Sequence, residues 1–106
     1  MAKKRRVFLE LTPLGYRVLL TRDRWREIVR FKHPAMAGHE SAVRDCLRDP
    51  DFVRASDKDP SVHLFYRSSP IGFVCAVIGG DLPSGRFVIT AYFTRNPKEG
   101  HNLWTK

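Results

Sequence analysis

At 106 residues, 42% of them hydrophobic, the chain is long enough for one globular core and too apolar for a disordered polypeptide. Nineteen Lys and Arg against eleven Asp and Glu leave a formal charge of +8, and two cysteines are too few for a disulfide-built scaffold. No apolar run approaches the ~20 residues that cross a bilayer, so no membrane partner is expected.

The start, Met1-Ala2-Lys3-Lys4-Arg5-Arg6, reads as a basic tail over 1–6, ahead of a single domain over 7–106. No signal-peptide apolar region follows it, which makes the cytoplasm the expected location. Val7–Leu11 and Tyr16–Leu20 are short apolar runs around Thr12-Pro13-Leu14-Gly15 and predict a β-hairpin. Thr21 then offers an N-cap for a helix over Arg22–His33, with Trp25, Ile28 and Val29 at helical spacing. Pro34 disfavours helix at the residue before it. A turn through Ala35–Gly38 leads to a second helix, about His39 to Leu47, which buries Val43, Cys46 and Leu47 and stops at Asp49-Pro50. Cys46 and Cys75 both lie among apolar neighbours and read as small buried residues.

The second half predicts strands at Phe52–Ala55, Val62–Ser68, Phe73–Ile78 and Arg86–Thr94. Pro70-Ile71-Gly72 and Gly79–Gly85 are the turns between the longer ones. Phe73–Ile78 is apolar on both parities, as a central strand is. The expected fold is α+β: two N-terminal helices packed on one face of a mainly antiparallel sheet, preceded by a short β-hairpin.

Strict alternation along Arg86–Thr94 puts Phe87, Ile89, Ala91 and Phe93 on one face and Arg86, Val88, Thr90, Tyr92 and Thr94 on the other. Along Val62–Ser68, His63, Phe65 and Arg67 alternate with Val62, Leu64 and Tyr66. With the more apolar sides against the helices, Arg67, His63, Thr90 and Tyr92 converge on an uncovered face. A solvated sheet face rich in Thr and Tyr gives the same pattern.

The charge excess on so small a molecule sets up a positive potential that draws polyanions. RNA, DNA, an anionic surface and an acidic protein all fit, with nucleic acid the expected partner. Cleaving RNA without a metal takes a base for the 2′-hydroxyl, an acid for the leaving oxygen and a fixed cation. His33 and His39 bracket the turn between the helices. The macrodipole favours imidazolium at His33 and a neutral ring at His39, the split an acid–base pair requires. The plain alternatives are a His33 that caps carbonyls and a His39 that opens a helix.

Arg67, alone in an otherwise apolar strand, has to reach water, a carboxylate or a phosphate. Arg30, Lys32, Lys58, His63, Arg86 and Arg95 are the expected backbone-tracking residues. HExxH, CxxC, Gly-rich phosphate loops and GxSxG are absent from the sequence, so neither metal nor cofactor is expected. Trp104 either stacks a base or pins the tail to the domain.

Taken together, several short motifs carry a resemblance. Trp25 followed by Ile28-Val29 and His33-Pro34, then Leu47-Arg48-Asp49-Pro50-Asp51, Phe65-Tyr66-Arg67 and Val88-Ile89-Thr90-Ala91-Tyr92, resembles a set of small phage- and mobile-element-associated proteins. These are grouped with the barnase–EndoU–colicin–RelE-like nuclease superfamily, and the likeness spans about Tyr16 to Trp104. It implies a metal-independent ribonuclease, toxin-like in many relatives, whose antiparallel sheet carries the site. By position it assigns the helix-end histidine to His33, the mid-sheet arginine to Arg67 and the final-strand hydroxyl to Thr90, with Tyr92 beside it. Lys32 stands where an arginine often precedes the histidine, and lacks its forked geometry. RNA and a cognate acidic antitoxin or inhibitor are the implied partners. The alternative is a module that binds nucleic acid, or a regulatory partner, without cutting.

Overall fold

The computed structural model describes residues 5–81 and 85–106; the basic run at 1–4 and the middle of the Gly79–Gly85 turn lie outside them. β1 (Arg6–Leu11) and β2 (Arg17–Thr21) form the expected antiparallel hairpin. Its turn is closed from within: the Thr12 amide and hydroxyl both donate to the Tyr16 carbonyl, each at 3.0 Å. Thr21 then caps α1 (Arg22–Glu27), its hydroxyl accepting the Arg24 amide at 3.2 Å.

The first helix is only six residues of α form and continues as a π turn over Ile28–Lys32, closed by the His33 amide on the Ile28 carbonyl at 2.7 Å. A π turn adds a residue to the helical repeat and rotates whatever follows it. Trp25 and Ile28 remain buried, yet Phe31 is 76% exposed and His33 leaves the Trp25–Val29 stripe. A 3₁₀ turn, Pro34–Met36, leads to α2 (Glu40–Arg48), which buries Val43, Cys46 and Leu47 as expected.

Five strands follow: β3 (Phe52–Ser56), β4 (His63–Ser69), β5 (Gly72–Asp81), β6 (Gly85–Thr94) and β7 (Gly100–Thr105). They join the hairpin in one seven-stranded sheet of order β1-β2-β6-β5-β4-β3-β7. The sheet is mixed, because β2 lies parallel to β6 through two residue pairs, whereas the other neighbours are antiparallel. The fold is therefore α+β, and the sheet is mainly antiparallel as expected but mixed, through the one parallel β2–β6 pairing. β7, which sequence patterning does not announce, pairs with β3 and seats Trp104 against the main core.

That core lies between α2 and the sheet, with Val43, Cys46 and Leu47 against Phe65, Val74, Ala76 and Ile78. Each such side chain contributes about 1.5–3 kcal/mol by leaving water. Cys46 also donates its thiol to the carbonyls of Phe65 and Val74, both at 3.4 Å, and both cysteines are buried and free.

The opposite face carries a second cluster, Leu64, Tyr66 and Cys75 with Phe52, Phe73, Val77 and Tyr92 around them. It is not uncovered. Leaving β6, the segment 95–99 has to pass β5, β4 and β3 to reach β7. It crosses this face as a strap: the Lys98 amide donates to the Tyr66 hydroxyl at 2.9 Å, and Arg54 donates to the Lys98 carbonyl at 2.7 Å.

A bulge corrects the face assignment of β6. Val77 pairs with Thr90 and Ile78 with Val88, which leaves Ile89 as an extra residue. Beyond it the alternation reverses, so Val88 joins Ala91 in the main core and Arg86 turns to the helix side with it.

Candidate functional site

The predicted meeting of Arg67, His63, Thr90 and Tyr92 does not occur. His63 and Arg67 flank Phe65 and share its helix side, while Thr90 and Tyr92 lie on the strapped face opposite Val77 and Cys75. His33 does reach Tyr92: the rotation after the π turn brings the two rings to 5.1 Å between centroids, tilted by 34°. Thr90 Oγ1 and Tyr92 Oη beside it are buried without a hydrogen-bond partner among the described residues. Lys98 Nζ stands 6.0 Å from the Tyr92 ring centroid. Thus His33, Thr90 and Tyr92 share a face, and Arg67 is on the other side of the sheet.

The titration expected for His33 is also reversed. Burial, followed by the adjacent Lys32 cation, holds its imidazole below the ordinary value. The short helix ends in a π turn whose own last residue is that cation, so desolvation and like charge outweigh the dipole. Burial pushes the Tyr66 phenol up to about 12 and the Cys75 thiol up to about 11, so this face presents neutral hydroxyls and a neutral thiol at physiological pH.

Arg67 meets His39 instead. Both line a groove of about 370 Å³ between the start of α2 and the β4–β5 turn, with Ser68, Ser69, Ile71, Phe93 and Asp45, whose carboxylate Arg48 takes at 2.6 Å. His39 sets its ring edge-on to Phe93, 5.0 Å between centroids at 90°. Arg67 Nη1 donates to both the carbonyl and the carboxylate of Asp49, at 2.7 and 2.8 Å. Its Nε and Nη2 have no partner among the described residues. Arg67, then Lys106, draws the Asp49 carboxyl below the usual range, so the anchor is ionised at neutral pH. An exposed pair of this kind adds little to stability, so its consequence is orientation of the guanidinium. Ser69 Oγ is buried and lines the same groove without a partner among the described residues.

Sequence reasoning missed Tyr16, which joins two of the expected basic-patch residues. Tyr16 Oη lies 2.6 Å from His63 Nδ1, and the Arg86 guanidinium sits 4.5 Å above the Tyr16 ring while donating to the Ser61 carbonyl at 3.0 Å. Burial, then Arg86, holds His63 below its ordinary value of 6.5, and burial raises the Tyr16 phenol. Phenol and ring are therefore both neutral where they meet. The only sequence cue was a polar-tipped aromatic at the start of an apolar run.

Protonating His63 puts a cation into a desolvated site beside Arg86 in the folded chain, so acid favours the unfolded one. Stability from this residue is complete above pH 6.5 and declines as the pH falls through the depressed folded value. Urea denaturation at pH 7 and pH 5 should show a smaller loss in His63→Gln than in the parent. An identical loss in both would mean that His63 does not carry the acid sensitivity.

The remaining basic candidates scatter. Lys32 is exposed beside His33, and Lys58 is exposed in the β3–β4 turn, apart from either groove. Arg95 opens the strap beside Ile71 and Phe93 and so borders the Arg67 groove. Arg30 lines a second groove with Arg22 and Arg26. Six ion pairs engage Arg24, Arg26, Arg44, Arg48, Arg67 and Lys106. Arg17, Arg22, Arg30, Lys32, Lys58, Arg95 and Lys98 have no acidic partner among the described residues. No family model, curated protein or solved structure matches the chain.

Proposed function

We propose that this protein binds RNA, and that the His39–Arg67 groove is where it holds a phosphate. The observation that carries the reading is the state of Arg67. One nitrogen is locked by Asp49, and the rest of the guanidinium is left for an anion beside His39 and the unpartnered Ser69 hydroxyl. Such a fork suits phosphate better than a point charge does. The formal charge of +8 supplies long-range attraction. A groove of about 370 Å³ has the scale of a nucleotide, not of a duplex.

Cleavage is the second reading, favoured by His39 and Arg67 lining the same groove. An imidazole and an oriented cation are two of the three parts a metal-independent ribonuclease uses. The trio of His33, Arg67 and Thr90 is set aside as a single centre, because a sheet separates them. In a toxin-like setting, an acidic inhibitor would compete for this surface.

A labelled single-stranded RNA oligonucleotide, titrated in chelator at about 50 and about 200 mM salt, tests both readings. Binding should weaken steeply with salt, and Arg67→Gln should lose about tenfold in affinity, the worth of one charge-assisted hydrogen bond. Absence of any salt-sensitive complex would refute the RNA reading. If cleavage occurs, His39→Ala should abolish it while leaving binding within about threefold. Intact RNA with the parent protein removes the second reading alone.

A further inference from the structure

We propose that Arg22, Arg26 and Arg30 form a phosphate track for single-stranded RNA, continuous over Ala37–His39 with the Arg67 groove. The proposal rests on the RNA reading above and adds to it a path and a strand state.

The three arginines recur every fourth residue along α1 and its π continuation and all line one groove, with a step of about 6 Å along the axis between Arg22 and Arg26 in the α part. That step is close to the repeat of an extended nucleotide backbone. They line a groove of about 380 Å³ whose other lining residues are Trp25, Val29, Ala37 and Gly38. The lining is therefore cationic and apolar, with no carboxylate in it.

The acids of the helix do not neutralise the row. Glu27 is taken by Arg24 at 3.2 Å, and Asp23 reaches Arg26 only at 3.9 Å with both side chains more than two-thirds exposed. Like charges four residues apart destabilise a helix, and six α residues have little propensity to spare. A self-repelling row on so short a helix conflicts with local stability and is relieved when an anion lies along it.

Two features join this groove to the other. Ala37 and Gly38 line the first, and the next residue, His39, lines the second. Gly38 adopts φ 82° and has open space where a side chain would stand, so the shared rim is bare backbone that a strand can cross. A duplex would bridge the arginines without entering either groove. A single strand can place successive phosphates on the row and lay its sugars against half-buried Val29 and the exposed Ala37–Gly38 rim, with the edge of buried Trp25 forming the floor.

The test is fluorescence anisotropy with a labelled RNA of about eight nucleotides. It compares the parent with Arg22→Gln/Arg26→Gln/Arg30→Gln and with a charge-matched triple variant, Arg17→Gln/Arg44→Gln/Arg54→Gln. Thermal melts of all three verify folding. The track variant should lose about tenfold or more in affinity, and its salt slope should fall by about two, some 0.7 for each phosphate contact removed. The matched variant should lose less than about threefold. Equal losses in both would overturn the track while leaving RNA binding intact, since diffuse charge would then explain it. A parent that binds no RNA overturns the functional reading together with the track. Displacement of RNA by polyglutamate as effectively as by unlabelled RNA would overturn it in favour of an acidic protein partner.

Discussion

Tyr66→Ala should lower the unfolding free energy by about 3–5 kcal/mol, the usual range for deleting a fully buried aromatic ring. Tyr66→Phe should cost only about 1 kcal/mol, the net worth of one hydrogen bond. The ring is fully buried, stacked on Phe52 at 5.0 Å and edge-on to Phe73 at 6.2 Å, and its hydroxyl holds the Lys98 amide. Total stability for a domain is about 5–15 kcal/mol, so the alanine variant forfeits a large share of it. The melting temperature should drop by roughly 20 °C. Equilibrium urea denaturation reads both variants, and an alanine variant within about 1 kcal/mol of the parent would show that the second face is not a core. The same substitution frees the middle of the strap, so protection of the 95–99 amides should fall with it.

The second large effect is expected at the strap's origin. Gly72 adopts φ 133°, and a Cβ there would stand 2.6 Å from the Thr94 carbonyl and 3.2 Å from Arg95 Cα. Gly72→Ala combines an unfavourable backbone region with a clash against main chain that has nowhere to retreat. A loss of about 2–3 kcal/mol should appear as a lowered denaturation midpoint. Gly38→Ala is the control, because it shares the positive φ but meets open space. It should cost about 1 kcal/mol. Equal losses at the two positions would mean that contact with the strap is unimportant.

Local chemistry made much of this architecture legible. The Thr12–Gly15 turn, the Thr21 cap, the buried stripe of α2 and the central β5 are decided by residues close in sequence, and each lies where patterning placed it. What escaped depends on partners far away. The bulge at Ile89 exists only because β5 opposes β6 with one residue fewer, so alternation along a single strand assigned Arg86 and Val88 to the wrong face. Arg67 was misplaced for a related reason. The strap buries Leu64 and Tyr66 on one side of β4 while α2 buries Phe65 on the other, so hydrophobicity did not say which side met the helices. β7 is Gly-His-Asn-Leu-Trp-Thr, weak in β propensity and held by pairing with β3.

The candidate site was legible by parts. Arg67 stood out as a lone charge in an apolar strand, His39 as an imidazole flanking the turn between helices, and Arg30 and Arg95 as members of the basic excess. The pairing of His39 with Arg67, the Arg22 and Arg26 members of the row, the Ser69 hydroxyl and the Tyr16 link each require knowing which elements meet. His33 reaches the expected Tyr92, but through a π turn that no α period announces.

The two parallel pairs of the sheet, Val18 with Arg86 and Leu19 with Phe87, connect stretches of chain about seventy residues apart. Ordering so long an intervening loop is a late and slow event in folding. On a ribosome the hairpin and the arginine helix that follows it would wait, undocked, until β6 had emerged. Newly made chains should therefore pass through an interval in which the basic helix exists undocked from β6.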